Sequence, residues 1–233
     1  MNVFWFRRDL RVDDNVGLYH ALSCGQPVMP LFIFDTTIIS QLPQDDARVT
    51  FIHQQLEAIQ AALQAVGKSI AVFYGTPEEV FTQLLSEQKI ETIYTNHDYE
   101  PYARKRDKAL NQLFKSKGVA FKTSKDQVIF EKNEVVKDDG TPYVVYTPYS
   151  RRWKERFRAT TLPHYPSETL LHHVVDHPYP FLSLDAIGFK VSPIKVRPYD
   201  VSETLIRNYE ATRNFPALNK TSFLGIYLRF GAV

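Results

Sequence analysis

The chain has 233 residues, 28 Lys and Arg against 26 Asp and Glu, a formal net charge of +2 and one cysteine, Cys24. That length holds one large α/β domain, or one domain and part of another; a lone thiol excludes internal disulfides and cysteine-built metal cages, and the mildly basic balance permits nucleic-acid contact without requiring it. No apolar run reaches transmembrane length and no signal-peptide pattern opens the chain, so the expectation is a soluble, cytoplasmic, monomeric protein.

Val3, Phe4, Trp5 and Phe6 form a short aromatic and β-branched run, as in a strand buried on both faces of a parallel sheet. Arg7, Arg8, Asp9 and Arg11 follow at its carboxyl end, the edge where open α/β sheets bind ligands. Asp13, Asp14 and Asn15 then offer a helix N-cap. Leu18, Ala21 and Leu22 share one helical face, closed by Gly25 and Pro27. Val28 to Phe34 reads as a second strand, with Asp35 at its end. A helix is predicted from Pro43 to Val66, where Ile52, Leu56, Ile59, Leu63 and Val66 are spaced by four and three. Ile70 to Tyr74 is a third strand, after which Thr76, Pro77 and Glu79 occupy the N-cap, N1 and N3 places of a capping box. Thr92 to Thr95 is the fourth strand, Asn96 to Glu100 a polar loop, Pro101 to Gly118 a helix, and Val119 to Thr123 the fifth strand. This alternation predicts an α/β fold: a five-stranded parallel Rossmann-like sheet with helices on both faces. No glycine-rich dinucleotide loop, P-loop or nucleophile elbow follows any strand, which argues against ordinary dehydrogenases, kinases and acyl-transfer enzymes.

Beyond the sheet, Val128 to Val145 is read as a hairpin turning at Asp139 and Gly140. A helix near Pro148 to Arg158 carries Arg151, Arg152, Lys154, Arg156 and Arg158 around Trp153 and Phe157, a solvated basic face or a nucleic-acid contact. Leu162 to Pro198 is proline-rich and aperiodic, a long connector. Its His172, His173, Asp176 and His177 lack the fixed spacing of a metal site, and no metal is expected. Asp200 to Arg213 is helix-like, with Val201, Leu205, Ile206 and Tyr209 available to one apolar face.

Three segments carry a resemblance. Trp5 to Asn15, WFRRDLRVDDN, closely resembles the first strand and loop of the DNA photolyase/cryptochrome family. Tyr146 to Trp153, YTPYSRRW, resembles the segment leaving that family's α/β domain. Tyr209, Arg213, Pro216 and Thr221 to Gly231, TSFLGIYLRFG, resemble the start of its helical flavin domain, with Gly225 where a serine is usual. The resemblance implies an antenna-binding α/β domain over residues 1–125, a connecting region over 126–198 and the beginning of an FAD-binding helical domain over 199–233. It implies FAD contacts from Tyr209, Thr221, Ser222, Phe223, Leu224 and Gly225, with catalysis lying outside these residues. An antenna chromophore, flavin, deazaflavin or folate, is implied near Arg8, Asp9, Phe34, Arg48, Asp98 and Glu100; Tyr102 and Ala103 stand where folate-binding members carry Asn-Glu, so folate is the less supported of the three.

The implied activity is light-driven, flavin-dependent splitting of cyclobutane pyrimidine dimers in damaged DNA, as an N-terminal part of a photolyase that is inactive by itself. A cryptochrome photoreceptor and a free-standing nucleotide-binding α/β module are the alternatives.

Overall fold

Strand β1 (Asn2–Phe6) lies at the centre of a parallel sheet, flanked by β2 (Val28–Asp35) and β3 (Ala71–Gly75) on one side and by β4 (Thr92–Asn96) and β5 (Ala120–Ser124) on the other, in the order β3-β2-β1-β4-β5. The computed structural model describes residues 1–233. Successive β1 side chains point to opposite faces, so the uninterrupted apolar run serves two cores at once. Phe4 and Phe6 join one, with Leu18, Leu22, Phe32, Leu56 and Leu63. Val3 and Trp5 join the other, with Leu31, Phe81, Leu84, Leu110 and Phe114. Helices α1 (Val16–Leu22) and α3 (Ala47–Gln64) supply the first face, and α4 (Pro77–Glu87) and α5 (Pro101–Ser116) the second. Trp5 is fully buried edge-on to Phe81, with ring centroids 5.1 Å apart, a placement that stabilises the fold by about 2 to 3 kcal/mol.

The sequence expectations hold for all five strands and for the capping box of α4, where Thr76 and Glu79 bond reciprocally. The helix predicted from Pro43 begins at Ala47, because the Asp46 carboxylate takes the Arg48 N–H and caps the helix there. A single turn, α2 (Thr36–Ile39), precedes it, capped by Asp35.

The hairpin expected between Val128 and Val145 does not form. Asp139 and Gly140 do make a turn closed by Lys137 N–H to Thr141 C=O at 3.0 Å, but no strand flanks it. Val144 and Val145 are exposed, and a two-stranded ribbon with nothing packed on it is marginal in water. Helix α6 (Tyr146–Arg158) then buries no residue.

The connector is irregular but tethered along its length. Val175 N–H donates to the Val28 carbonyl, Val72 N–H to the Pro180 carbonyl, and Lys190 N–H to the Gln44 carbonyl. Leu171, Val174, Ile187 and Phe189 complete the first core. Two helices follow, α7 (Glu203–Thr212) and α8 (Leu224–Phe230).

Candidate functional site

The strand order reverses direction between β1 and β4, and the loops leaving these two strands meet at the carboxyl edge. Asn96, the last residue of β4, joins them. Its Nδ2 donates to Asp9 Oδ2 at 2.6 Å and to Asn15 Oδ1 at 2.8 Å, while its Oδ1 accepts the Gly17 N–H at 2.9 Å. Asn15 caps α1 by accepting from Leu18 N–H and donates to the Asp9 and Arg11 carbonyls. Gly17 is obligatory here, since a Cβ would stand 2.6 Å from Asn96 Oδ1 and 2.9 Å from Phe4. Asp9 is wholly buried, and burial first, then repulsion from Asp126, push its carboxyl above the usual range despite the hydrogen bonds from Arg7 and Asn96.

Arg7 closes the other side of the junction. Its guanidinium grips Asp107 at 2.7 and 2.8 Å and donates to the Asn96 carbonyl. Arg106 shares Asp107, and both guanidinium groups lie over the Trp5 ring, 5.0 and 4.7 Å from its centroid. Burial, then the Arg7 cation, lower the Arg106 pKa. Arg11 binds Asp126 through two bonds of 3.1 and 3.0 Å. Most of the charge in the Trp5–Asn15 motif is thus consumed within the fold.

Of the residues expected around an antenna, the structure brings four together. Arg8 stands 2.8 Å from Glu100 and 3.5 Å from Asp98, with Asp9 beneath. The depression lined by Arg8, Asp9, Asn96 and Asp98 is too narrow to admit even a water molecule, far short of the roughly 300 Å³ at which small-molecule pockets begin. Phe34 lies in the core against Phe32, and Arg48 is paired with Asp46 at the start of α3. Tyr102 donates its hydroxyl to Asp35 Oδ2 at 2.6 Å, a bond that, after burial, raises its pKa.

Among the flavin candidates, Thr221 and Phe223 line one depression with Arg197, Asp200, Leu205 and Asn219. Phe223 has a left-handed backbone (φ 53°) and Ser222 Oγ accepts the Leu224 N–H at 3.4 Å, so the TSFL segment turns sharply into α8. Tyr209 is on α7, half exposed, beneath the Arg213 guanidinium. A Cβ on Gly225 would meet nothing within 4 Å, so the glycine answers no close approach here. Arg197, which the sequence reading did not single out, lies over the Phe223 ring at 5.1 Å and bonds Asn219. Its signal in the sequence was only its place just before Pro198.

The two motif-bearing ends of the chain touch. Leu10 N–H donates to the Phe230 carbonyl at 3.0 Å, Arg229 pairs with Glu100 at 2.8 Å, and Gly231 leaves its missing Cβ position 2.3 Å from the Arg8 carbonyl. Phe51 of α3 packs against both Tyr227 and Phe230. The four histidine and aspartate residues at 172–177 do not converge on a metal: Asp176 pairs with Lys68 and His177 with Ser69.

A family model described as DNA photolyase matches residues 2–167. The deoxyribodipyrimidine photo-lyase of Synechococcus sp. (strain ATCC 27144) is 29% identical over 248 residues, covering 99% of this chain and 51% of that protein. The crystal structure of a bacterial class III photolyase from Agrobacterium tumefaciens superposes with a TM-score of 0.78 at 26% identity, over 99% of this chain and 50% of the other. A cryptochrome from Synechocystis sp. PCC6803 shares the fold, with a TM-score of 0.81 at 18% identity over 100% and 53% of the two chains. The chain spans about half the length of the curated photo-lyases it matches.

Proposed function

Because the chain belongs to the DNA photolyase family, we propose that it supplies the sheet domain (1–125), the connector (126–198) and the opening of the flavin domain (199–233) of a deoxyribodipyrimidine photo-lyase. The observation that carries this reading is the seam between its ends, where the Trp5–Asn15 loop bonds directly to α8 and Gly231. That seam docks α8, the helix that follows the TSFLG turn, against the loop at the carboxyl edge.

The donors at this turn fit a flavin diphosphate. Thr221 and Ser222 offer hydroxyls, the Arg197 guanidinium stands at the same depression, and the Asp200 carboxylate beside them is already engaged by Ser202 N–H. On this reading Thr221, Ser222 and Arg197 hold the phosphates, Tyr209 approaches from α7, Phe223 shapes the turn, and Leu224 and Gly225 open α8 beside it. The flavin, when bound and reduced, supplies the light-driven electron that splits a pyrimidine dimer extruded from DNA. The family's antenna, a flavin, deazaflavin or folate, belongs at Arg8, Asp98 and Glu100, where the Arg8 pairs must open to admit it.

The test is light-dependent repair of a thymine-dimer oligonucleotide by the whole protein, beside its Thr221→Val, Ser222→Ala double variant. The variant is expected to lose flavin affinity by roughly ten-fold to over one hundred-fold for each hydrogen bond to a charged group that it removes. Wild-type flavin retention in the folded double variant would place the phosphate site elsewhere. The cryptochrome reading rests on the shared fold and would prevail if illumination reduced the flavin while dimers stayed intact.

A further inference from the structure

We propose that Asp13, His164 and Glu168 bind a divalent cation of the Zn²⁺ or Mn²⁺ class, which pins the connector to the β1–α1 loop. One ligand atom from each residue lies within 4.8 Å of the other two. Ligands of a tetrahedral ion at roughly 2.1 Å stand roughly 3.4 Å apart. Rotation of the exposed Asp13 side chain, with His164 kept against Asp14, narrows that gap without moving the backbone.

Three further observations support a cation there. Glu168 is partly exposed, yet its Oε2 is shielded from solvent and has no hydrogen-bond partner, so a cation there would replace the hydration that oxygen has lost. No Lys or Arg pairs with Asp13 or Glu168, and Arg11 of the same loop is committed to Asp126. His164 Nδ1 is 3.2 Å from Asp14 Oδ1, which also accepts the Tyr165 N–H at 2.8 Å. A carboxylate behind an imidazole orients the ring and raises its basicity, as it does behind metal-bound histidines.

Both backbones that carry the ligands are fixed. Ser167 Oγ donates to the Val12 carbonyl at 2.6 Å and accepts the Asn15 N–H at 3.0 Å. These bonds sit one residue from Asp13 and one residue from Glu168. One imidazole with carboxylates suits a borderline cation with oxygen and nitrogen ligands, and three protein ligands leave a position for water.

The experiment is calorimetric titration of the purified 233-residue chain with ZnCl₂ and, separately, MnCl₂ in chelator-free buffer, with thermal melts before and after EDTA. One saturable equivalent is expected, with a melting temperature that rises on binding and falls back with EDTA. Glu168→Gln, isosteric and checked for folding by circular dichroism, is expected to weaken binding about ten-fold, and His164→Ala about one hundred-fold. A His172→Ala, His173→Ala double variant is expected to bind as wild type. The proposal is overturned if neither ion gives a saturable equivalent, if folded Glu168→Gln binds like wild type, or if the His172, His173 variant loses the site.

Discussion

Gly17 and Asp9 show how much of this molecule is decided at single atoms. Gly17→Ala forces a methyl group into Asn96 Oδ1 and Phe4; a loss of about 1 to 3 kcal/mol in urea unfolding is expected. Asp9 follows from its raised pKa. The unfolded chain releases this proton near the ordinary aspartate value and the folded chain releases it later, so between the two the folded state holds an extra proton. The Asp9 contribution to stability is therefore largest in acid, falls as pH rises from the unfolded pKa through the folded one, and is level above it. Asp9→Asn should remove that acid slope in denaturation series between acid and neutral pH. It should also cost about 1 to 3 kcal/mol at neutral pH, because its amide nitrogen meets the Asn96 donor. The sequence showed Asp9 as a loop carboxylate near a ligand edge. Its partner Asn96 was not legible, since only the adjacency of β1 and β4 places two residues so far apart in contact.

At the level of elements, periodicity gave the strands and helices because each buries a face against the sheet, and it failed where that support is missing. The region before α6 has turn chemistry at Asp139–Gly140 but no apolar surface to lie on, so alternation there produced no hairpin. Helix α8 was legible as a motif, whereas the reason for Gly225 was not. The structure gives it open space and an ordinary helical backbone. Gly225→Ala is accordingly expected to stabilise α8 by about 0.5 to 1 kcal/mol through helix propensity, read as slower proteolysis between Thr212 and Gly231. Faster cleavage would show that the glycine meets a need these contacts do not reveal.

For the whole molecule, the junction of the two ends rests on apolar packing more than on its ions. Arg229 and Glu100 are both about half exposed, and such pairs contribute about 0 to 1 kcal/mol and weaken with salt. Phe230 and Tyr227 against Phe51, with the Leu10 to Phe230 backbone bond, carry the rest. Phe230→Ala should release the C-terminal segment, seen as faster tryptic cleavage at Arg213 and Lys220, with the sheet's far-ultraviolet spectrum kept. High salt alone should leave the cleavage rate nearly unchanged.

The tethered connector also bears on the entropy of that junction. Bringing Gly231 to Arg11 across a free chain would close one very long loop, at a cost that grows with the logarithm of its length. Here Ser167 is fastened to Asn15, Val175 to Val28, Pro180 to Val72, Leu182 to His53, Lys190 to Gln44 and Ser192 to Thr50. Between Ser167 and Ser192 each attachment leaves only a short free stretch before the next, and the one long closure becomes several small ones and a single remaining one from Ser192 to Phe230. Loosening one attachment lengthens only the free stretch up to the next, so the last of them, Ser192 to Thr50, sets the length of free chain before α8. A substitution at Thr50, which removes the acceptor of the Ser192 N–H, is thereby felt at Phe230 as a lower local concentration of α8 at its docking place beside Phe51.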